Sequence, residues 1–316
     1  MPRQNILFGP VPSRRFGRSL GIDLVPFKTC SLDCVFCQLG RTPSKTMLRK
    51  DYVPIDSVLA QLQDWLAAEN TADVLTLSGS GEPTLHAHFG KVLEYAKHNS
   101  DIPSLLLTNA TLLGLDEVRS EAARAAMVKT SLCAWDQKSF QRINRPHPEL
   151  DFSSFLDGQI RFREEFTGQL ILEVFLLQGI SDSQDQIQAM ADIARRIGPD
   201  RIHLNTVERP PAESNAQPVS PEILKQARSL FSPQAELAVA QKYSPSPQSE
   251  ANEEAILKTI QRRPCTLNDL AAIFGLHPNE ISKYVTSLVH QGHVLWTHGG
   301  SDQLYVTSVE PKVENS

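Results

Sequence analysis

The sequence has few cysteines, and they are unevenly spread. Five occur in 316 residues, and three of them, Cys30, Cys34 and Cys37, fall within the eight residues CSLDCVFC. An odd and clustered set does not suit the disulfide framework that stabilises small secreted domains. The sequence therefore disfavours a disulfide-rich fold. In a reducing compartment, clustered thiols are first of all candidate metal ligands.

Long apolar runs are also missing. No stretch approaches the roughly 20 apolar residues that cross a bilayer, and the start, MPRQNILFGPVPSRR, lacks the apolar core of a signal peptide. We therefore expect a cytoplasmic protein without a membrane segment. The formal net charge of -5 disfavours nonspecific nucleic-acid binding by the whole surface, although a local basic groove is compatible with it.

Strand-like and helix-like segments alternate from about residue 19 to residue 231. The apolar strand candidates are SLGIDLVP, DVLTLSGSG, SLLLTN, MVKTSLC, GQLILEVFLL and DRIHLNTV. Segments with helical spacing, such as PIDSVLAQLQDWLAAE, lie between them. Serial β–α units with apolar strands indicate a parallel sheet covered by helices. Because six units fall short of the eight of a closed barrel, we predict an α/β fold with a partial (β/α)6 barrel of the TIM type.

The C-terminal part has a different pattern. A Ser/Pro-rich segment, KYSPSPQSEAN, is typical of a linker. Three short helical segments and a hairpin with Gly299–Gly300 at its turn follow it, and they predict a small winged helix-turn-helix domain. The predicted divisions are an N-terminal extension (1–18), the barrel (19–235), a linker (236–250), the winged helix (251–308) and a tail (309–316).

Active sites of such barrels lie where the strands end, and the cysteine cluster follows the first predicted strand. One alternative is a structural zinc site, which needs four ligands, with His86 as the fourth. The other is a [4Fe–4S] cluster, which normally takes four thiolates. Three thiolates would leave one iron open for a substrate or cosubstrate.

The spacing Cys30-x-x-x-Cys34-x-Phe36-Cys37 resembles the signature of the radical S-adenosylmethionine (radical SAM) enzymes. The resemblance implies that these cysteines bind a [4Fe–4S] cluster whose open iron binds the amino and carboxylate groups of S-adenosylmethionine. Reductive cleavage of that cosubstrate then gives a 5′-deoxyadenosyl radical, which abstracts a hydrogen atom from the substrate. Flavodoxin or ferredoxin is the expected kind of electron donor.

The run SGSGEPT resembles the Gly-Gly-Glu-Pro segment of the same family, with Ser80 in place of the second glycine. Glycines allow close backbone approach to a ligand, and backbone carbonyls or Glu82 can accept from an ammonium. The resemblance therefore implies further cofactor-binding residues. They are Phe36 beside the adenine, Gly79, Ser80, Gly81, Glu82 and Pro83 at the methionine amino group, and Asn109 and Ser131 near the nucleoside.

Cys133 has no counterpart in this pattern, because related sequences have an Asp in its place. A thiol at the barrel mouth could donate a hydrogen atom to a product radical, so Cys133 is a candidate catalytic residue. The alternative is a small buried apolar residue, which Cys often is. Only Cys133 and Cys265 lie outside the motif, which disfavours a second all-cysteine cluster.

Flanking segments, including RINRPH and HLNTVERPPAES, look like a poorly characterised radical SAM group related to the wyosine-forming enzymes of tRNA modification. RNA is accordingly an expected substrate class, with a peptide or small metabolite as the alternative. Arg145 and Arg209, beside prolines in strand-end loops, are the best candidates for binding a substrate anion.

The predicted winged helix has too little positive charge for an evident duplex-DNA reader. An RNA or protein partner, or closure of the barrel mouth, is at least equally compatible with it. The competing hypothesis for the whole chain is a zinc-stabilised regulatory protein whose winged helix binds DNA.

Overall fold

The structure, a computed structural model, describes residues 6–237, 251–299 and 303–309. Its main element is an eight-stranded sheet whose strands follow one another in chain order. The strands are β1 (Leu7–Ser13), β2 (Gly17–Ile22), β3 (Val74–Leu77), β4 (Ser104–Leu107), β5 (Met127–Leu132), β6 (Gln169–Leu176), β7 (Arg201–Thr206) and β8 (Glu236–Leu237).

The strands from β2 to β8 pair in parallel, and β1 pairs antiparallel with β2. The strands β2 to β7 correspond to the six predicted β–α units. The α/β class and the mostly parallel sheet are therefore confirmed. The short β8 occupies the first two residues of the predicted linker, whose remaining residues, 238–250, lie outside the described part of the chain.

Seven α-helices belong to this sheet. They are α1 (Ile55–Ala67), α2 (Phe89–Asn99), α3 (Asp116–Ala122), α4 (Gln137–Ile143), α5 (Phe152–Glu165), α6 (Gln184–Ile197) and α7 (Pro221–Ala227). Local sequence sets several of their ends. The side chain of Ser183 caps α6, and Gly198 ends it with φ of 67°, a left-handed conformation that glycine adopts without strain.

One continuous apolar core fills the space between the sheet and the helices. Leu62 of α1, Leu77 of β3 and Phe89 of α2 are completely buried within it. All four residues of β3 are buried, as expected for a parallel strand that is covered on both faces. Burial of this core fixes the strand ends, and therefore the loops that follow them, in one place.

The C-terminal part contains three helices and a β-hairpin, as the sequence predicts. They are α8 (Glu253–Arg262), α9 (Leu267–Phe274), α10 (Pro278–His290), β9 (Val294–His298) and β10 (Leu304–Ser308). Gly299 follows β9, whereas Gly300, the second residue of the predicted turn, and the tail from residue 310 lie outside the described residues.

This C-terminal unit packs against β1. Its apolar cluster includes Val11 of β1, with Phe8 packed at its side. The guanidinium of Arg262, at the end of α8, lies over the Phe8 ring and 3.6 Å from the carboxylate of Asp23, which follows β2. The end of α8 therefore lies beside the strand-end loops of the barrel. In the described residues, no helix has both the length and the apolar character needed to cross a membrane.

Candidate active site

The three clustered cysteines lie in the long loop between β2 and α1. Backbone hydrogen bonds attach this loop to the C-terminal end of α4: Asp33 N–H donates to the Asn144 carbonyl at 3.0 Å, and Val35 N–H donates to the Ile143 carbonyl at 3.0 Å. Another bond, from Thr46 N–H to the Cys30 carbonyl, closes the loop on itself. The thiols are therefore positioned by regular backbone contacts.

Each of the three sulfurs is within hydrogen-bond distance of a different nitrogen donor. The pairs are Lys28 Nζ and Cys37 Sγ at 3.3 Å, Asn109 Nδ2 and Cys30 Sγ at 3.5 Å, and Asn144 Nδ2 and Cys34 Sγ at 3.4 Å. N–H donors stabilise the anionic form of a sulfur ligand. The surroundings of all three thiols therefore suit thiolates bound to a cationic group.

Burial acts in the opposite direction. It raises the pKa of Cys30 to about 12, with the nearby Glu82 carboxylate adding to the effect, and it raises the pKa of Cys34 as well. Because a buried thiolate needs a positive partner, a metal group would offset this cost. The donors and the burial together fit a site built for metal.

The zinc alternative depends on His86 as its fourth ligand. His86 is buried. Its Nε2 lies 2.8 Å from the Val53 carbonyl, and its Nδ1 accepts from His88 N–H. Both imidazole nitrogens are therefore occupied, and the proposal of His86 as a zinc ligand is not supported.

The turn at Gly79–Pro83 is bonded directly to the cysteine loop. Lys28 N–H donates to the Ser80 carbonyl at 2.6 Å, and Glu82 N–H donates to the Thr29 carbonyl at 2.9 Å. The Asp23 carboxylate accepts from the backbone N–H and the hydroxyl of Ser80, at 3.0 and 2.6 Å. The two segments that resemble the family pattern, the cysteine motif and the glycine turn, are therefore in direct contact.

Two glycines of the turn are required by this contact. Gly79 has φ of 141°, and a side chain there would collide with the Asp23 carboxylate. A Cβ at Gly81 would overlap the Thr29 carbonyl oxygen. Ser80, which replaces the family's second glycine, is tolerated because its side chain points to Asp23.

Glu82 holds the turn to the end of β4. Its buried carboxylate accepts from the Thr84 and Thr108 hydroxyls, each at 2.6 Å, and from Asn109 N–H at 2.7 Å. Burial raises the pKa of Glu82, although these hydrogen bonds favour its charged form. Because its oxygens are satisfied within the protein, the carbonyls of the turn are better placed than Glu82 to accept from an ammonium.

A cavity of about 500 Å³ extends from the inside of the barrel to the cysteine loop and to the end of α8. Four of the predicted site residues line it, namely Phe36, Cys37, Gly79 and Gly81. The Phe36 ring stacks on Phe175 of β6, with 4.2 Å between ring centroids. A flat apolar surface therefore lies next to the cysteine loop, as stacking with an adenine would require.

Three other predicted residues, Asn109, Ser131 and Cys133, are not among the lining residues of this cavity. Asn109 contacts the cysteine loop through the Ser31 hydroxyl, at 3.0 Å, as well as through Cys30. Ser131 is paired with Glu173 in the sheet. Cys133 is only 5% exposed and packs with Val35 and Ile143, and burial raises its pKa to about 12. Its proposed role as a hydrogen donor stays a prediction.

A polar group inside the barrel was missed in the sequence. Asn205 of β7 donates to the Glu173 carboxylate of β6 at 2.8 Å, and Lys129 of β5 forms an ion pair with the same carboxylate. Burial opposes ionisation of Glu173, but Lys129, Arg15 and Arg14 together outweigh it, and the pKa of Glu173 is lowered. Asn205, Glu173 and Lys129 line the cavity. These residues could have been recognised in the sequence as polar residues on one face of otherwise apolar strands, where side chains alternate between the two faces.

The two arginines predicted to bind a substrate anion have different surroundings. Arg145 lies 2.6 Å from the Glu213 carboxylate and 3.6 Å from that of Asp33. Its charge is neutralised within the protein, so the prediction for Arg145 is not supported. Arg209 lines the cavity and donates to the Pro264 carbonyl at 3.0 Å.

Replacement of Gly81 by Ala should loosen the contact between the turn and the cysteine loop. We expect Gly81→Ala to lower the free energy of unfolding by about 1–3 kcal/mol, as overpacking usually does, and to speed the reaction of the cysteines with a thiol reagent. Gly114→Ala is the matched control, because a Cβ there meets no atom within 4 Å. If the two variants unfold at the same temperature and their cysteines react at the same rate, the close contact between Gly81 and the cysteine loop is contradicted.

Comparison with known sequences agrees with this geometry. The Radical SAM superfamily pattern matches residues 24–194. The chain is 30% identical to a UPF0026 protein of Methanocaldococcus jannaschii over 98% of both chains, and 32% identical to one of Helicobacter pylori over 92% of this chain and 95% of that one. A Brachyspira hyodysenteriae protein named GTPase Obg is 34% identical over 91% of this chain, but the chain spans only 43% of that protein's length.

Two solved structures share the fold. A radical SAM methyltransferase from Sphaerobacter thermophilus has a TM-score of 0.51 at 16% identity, over 69% of this chain and 65% of that one. Streptococcus suis SuiB bound to the precursor peptide SuiA has a TM-score of 0.52 at 17% identity, over 69% of this chain and 47% of that one. At such identities, the likeness concerns the fold alone.

The sequence match spans the cysteine loop, the glycine turn and most of the barrel. Relatives such as the Methanocaldococcus protein extend the similarity over nearly the entire chain. The chain therefore belongs to the radical SAM superfamily, whose members use a [4Fe–4S] cluster and S-adenosylmethionine.

Proposed function

We propose that Cys30, Cys34 and Cys37 bind the cluster and that the turn at residues 79–83 binds S-adenosylmethionine. The observation that carries the proposal is the direct bonding of the cysteine loop to this turn beside one cavity. When held there, the cluster would supply the electron for cleavage of S-adenosylmethionine and so provide a radical for hydrogen abstraction from the substrate. The protein itself positions these groups and limits access of water to them.

The roles of the surrounding residues follow from their contacts. The carbonyls of Gly79, Ser80 and Gly81 accept from the methionine ammonium, while Glu82 and Pro83 hold the turn in shape. Phe36 contacts the adenine, supported by its exposure to the cavity and its stacking on Phe175. Asn109 and Ser131 lie at the ends of neighbouring strands and contact the nucleoside.

The zinc-based regulatory protein is the weaker alternative. It needs a fourth ligand, and both nitrogens of His86 are bonded elsewhere. The polar cavity next to the cysteine loop also has no role in a purely structural zinc site.

The proposal extends to the C-terminal unit and the substrate. Three helices followed by an antiparallel hairpin fit a winged helix-turn-helix over residues 251–308, adjoining a barrel over 19–235. The similarity of RINRPH and HLNTVERPPAES to the wyosine-forming branch supports RNA as the substrate class, with flavodoxin or ferredoxin as electron donor. Analysis of tRNA nucleosides from a deletion strain tests the substrate: a missing modification supports RNA, and an unchanged profile contradicts tRNA.

Iron binding and cleavage of S-adenosylmethionine test the core of the proposal. Purified without oxygen, the wild-type chain should hold about four irons and form 5′-deoxyadenosine when S-adenosylmethionine and dithionite are added. The Cys34→Ser variant should lose most of the iron and most of the 5′-deoxyadenosine formation. Cys265→Ala should keep both, since Cys265 is buried in the C-terminal unit. A colourless wild-type protein with one zinc would overturn the assignment.

The donor to Cys34 should affect the reduction potential. A hydrogen bond to a cluster sulfur stabilises the more negative, reduced state. We therefore expect Asn144→Leu, which keeps a similar volume, to lower the potential of the cluster in an EPR-monitored titration. The exposed Asn99→Leu on α2 is the control. If Asn144→Leu leaves the potential unchanged while iron content is retained, Asn144 does not act on the cluster.

A further inference from the structure

Positive charge is concentrated in the central cavity, although the chain as a whole has a net charge of -5. Six of the charged lining residues are cationic and two are anionic. They are Arg14, Arg15, Lys129, Arg209, Arg262 and Arg263 against Glu173 and Glu208. A partly enclosed space with this excess attracts anions.

Four of these cations have carboxylate partners. Lys129 and Arg15 pair with Glu173, and Arg14 pairs with Glu208. Arg262 pairs with Asp23, which lies beside the cavity. These four cations are therefore already paired with carboxylates inside the protein.

Arg209 and Arg263 lack such partners among the described residues. Arg209 donates only to neutral acceptors, the Pro264 carbonyl at 3.0 Å and the Gln38 side chain at 3.4 Å. Nε and Nη2 of Arg263 are buried and have no hydrogen-bond partner. Buried donors that are left unpaired destabilise a protein, so a ligand that pairs with them recovers this loss.

These arginines also repel one another. Burial lowers the pKa of Arg14 to about 10, with Arg209 as the next cause. Burial and then Arg263 lower the pKa of Arg209, and Asp269 only partly offsets this effect. Arg209 therefore lies near two like charges, Arg14 and Arg263, an arrangement that an anionic ligand would stabilise.

Binding of S-adenosylmethionine would not balance the positive charge of these arginines. This cosubstrate has one carboxylate against an ammonium and a sulfonium, and so is cationic overall. A second, anionic ligand of the cavity would pair with the cations that are left. Several guanidinium groups suit a phosphate in particular, because their planar N–H pairs match its oxygens.

We propose that Arg209 and Arg263 bind a phosphate group of the substrate. They belong to the loop after β7 and to the end of α8, so the barrel and the C-terminal unit would recognise the substrate together. This inference rests on the proposed function, because it assigns the phosphate to the molecule that the radical attacks. It also gives the C-terminal unit a part in substrate binding.

Equilibrium binding to the full-length, cluster-loaded protein tests the inference. Adenosine 5′-monophosphate should bind in the presence of S-adenosylmethionine, and adenosine should not. Arg263→Gln should weaken binding roughly 10-fold to 100-fold, as expected for loss of a charge-assisted contact. Arg161→Gln, on the exposed face of α5, is the matched control and should bind like the wild type.

A short RNA oligonucleotide distinguishes the source of the phosphate. If RNA competes with the mononucleotide and is weakened by Arg263→Gln, the phosphate belongs to RNA; if only the mononucleotide responds, it belongs to a small metabolite. The inference is wrong if neither probe binds, or if Arg263→Gln and Arg161→Gln bind alike.

Two further measurements keep these outcomes separate from misfolding and from failure of the proposed function. Arg209→Gln provides a second variant if thermal unfolding shows that Arg263→Gln is not folded. Iron content and 5′-deoxyadenosine formation of the wild-type chain report on the proposed function independently of phosphate binding. A chain that keeps both without binding either phosphate probe would retain the radical SAM assignment and lose the phosphate site.

Discussion

The bonding between the cysteine loop and the glycine turn is the constraint on which the rest of the site depends. Two backbone hydrogen bonds, from Lys28 to Ser80 and from Glu82 to Thr29, join segments that follow adjacent parallel strands. Such strands end at the same edge of the sheet. The apolar core under that edge fixes the distance between the loops. In the proposed site, cluster and cosubstrate therefore meet only if this core is packed, which links fold stability to function.

Much of the fold was predictable, because the parallel strands are short apolar runs and the helices between them have clear spacing. The strand β1 was not predicted, since Pro10 and Pro12 lie within it. Proline is tolerated in an edge strand, and β1 is the edge of the sheet. Helix α4 was not predicted either.

The cysteine ligands and the turn were recognisable because each lies in one short segment. The donors to the sulfurs were not: Asn144 is 110 positions from Cys34, and Asn109 is 79 from Cys30. Only the folded chain brings such pairs together. For the same reason the sequence could not tell Arg145, which has carboxylate partners, from Arg209, which faces the cavity. Both are followed by proline in a polar loop, and long-range contacts alone separate them.

The central claim is that three cysteines leave one iron open to S-adenosylmethionine. The most direct test is electron–nuclear double resonance of the reduced, wild-type cluster with S-adenosylmethionine labelled with ¹⁷O in its carboxylate. The account predicts a hyperfine coupling from the labelled oxygen, which shows that the carboxylate is bound to the cluster. A reduced [4Fe–4S] cluster that shows no such coupling when saturated with S-adenosylmethionine would contradict it.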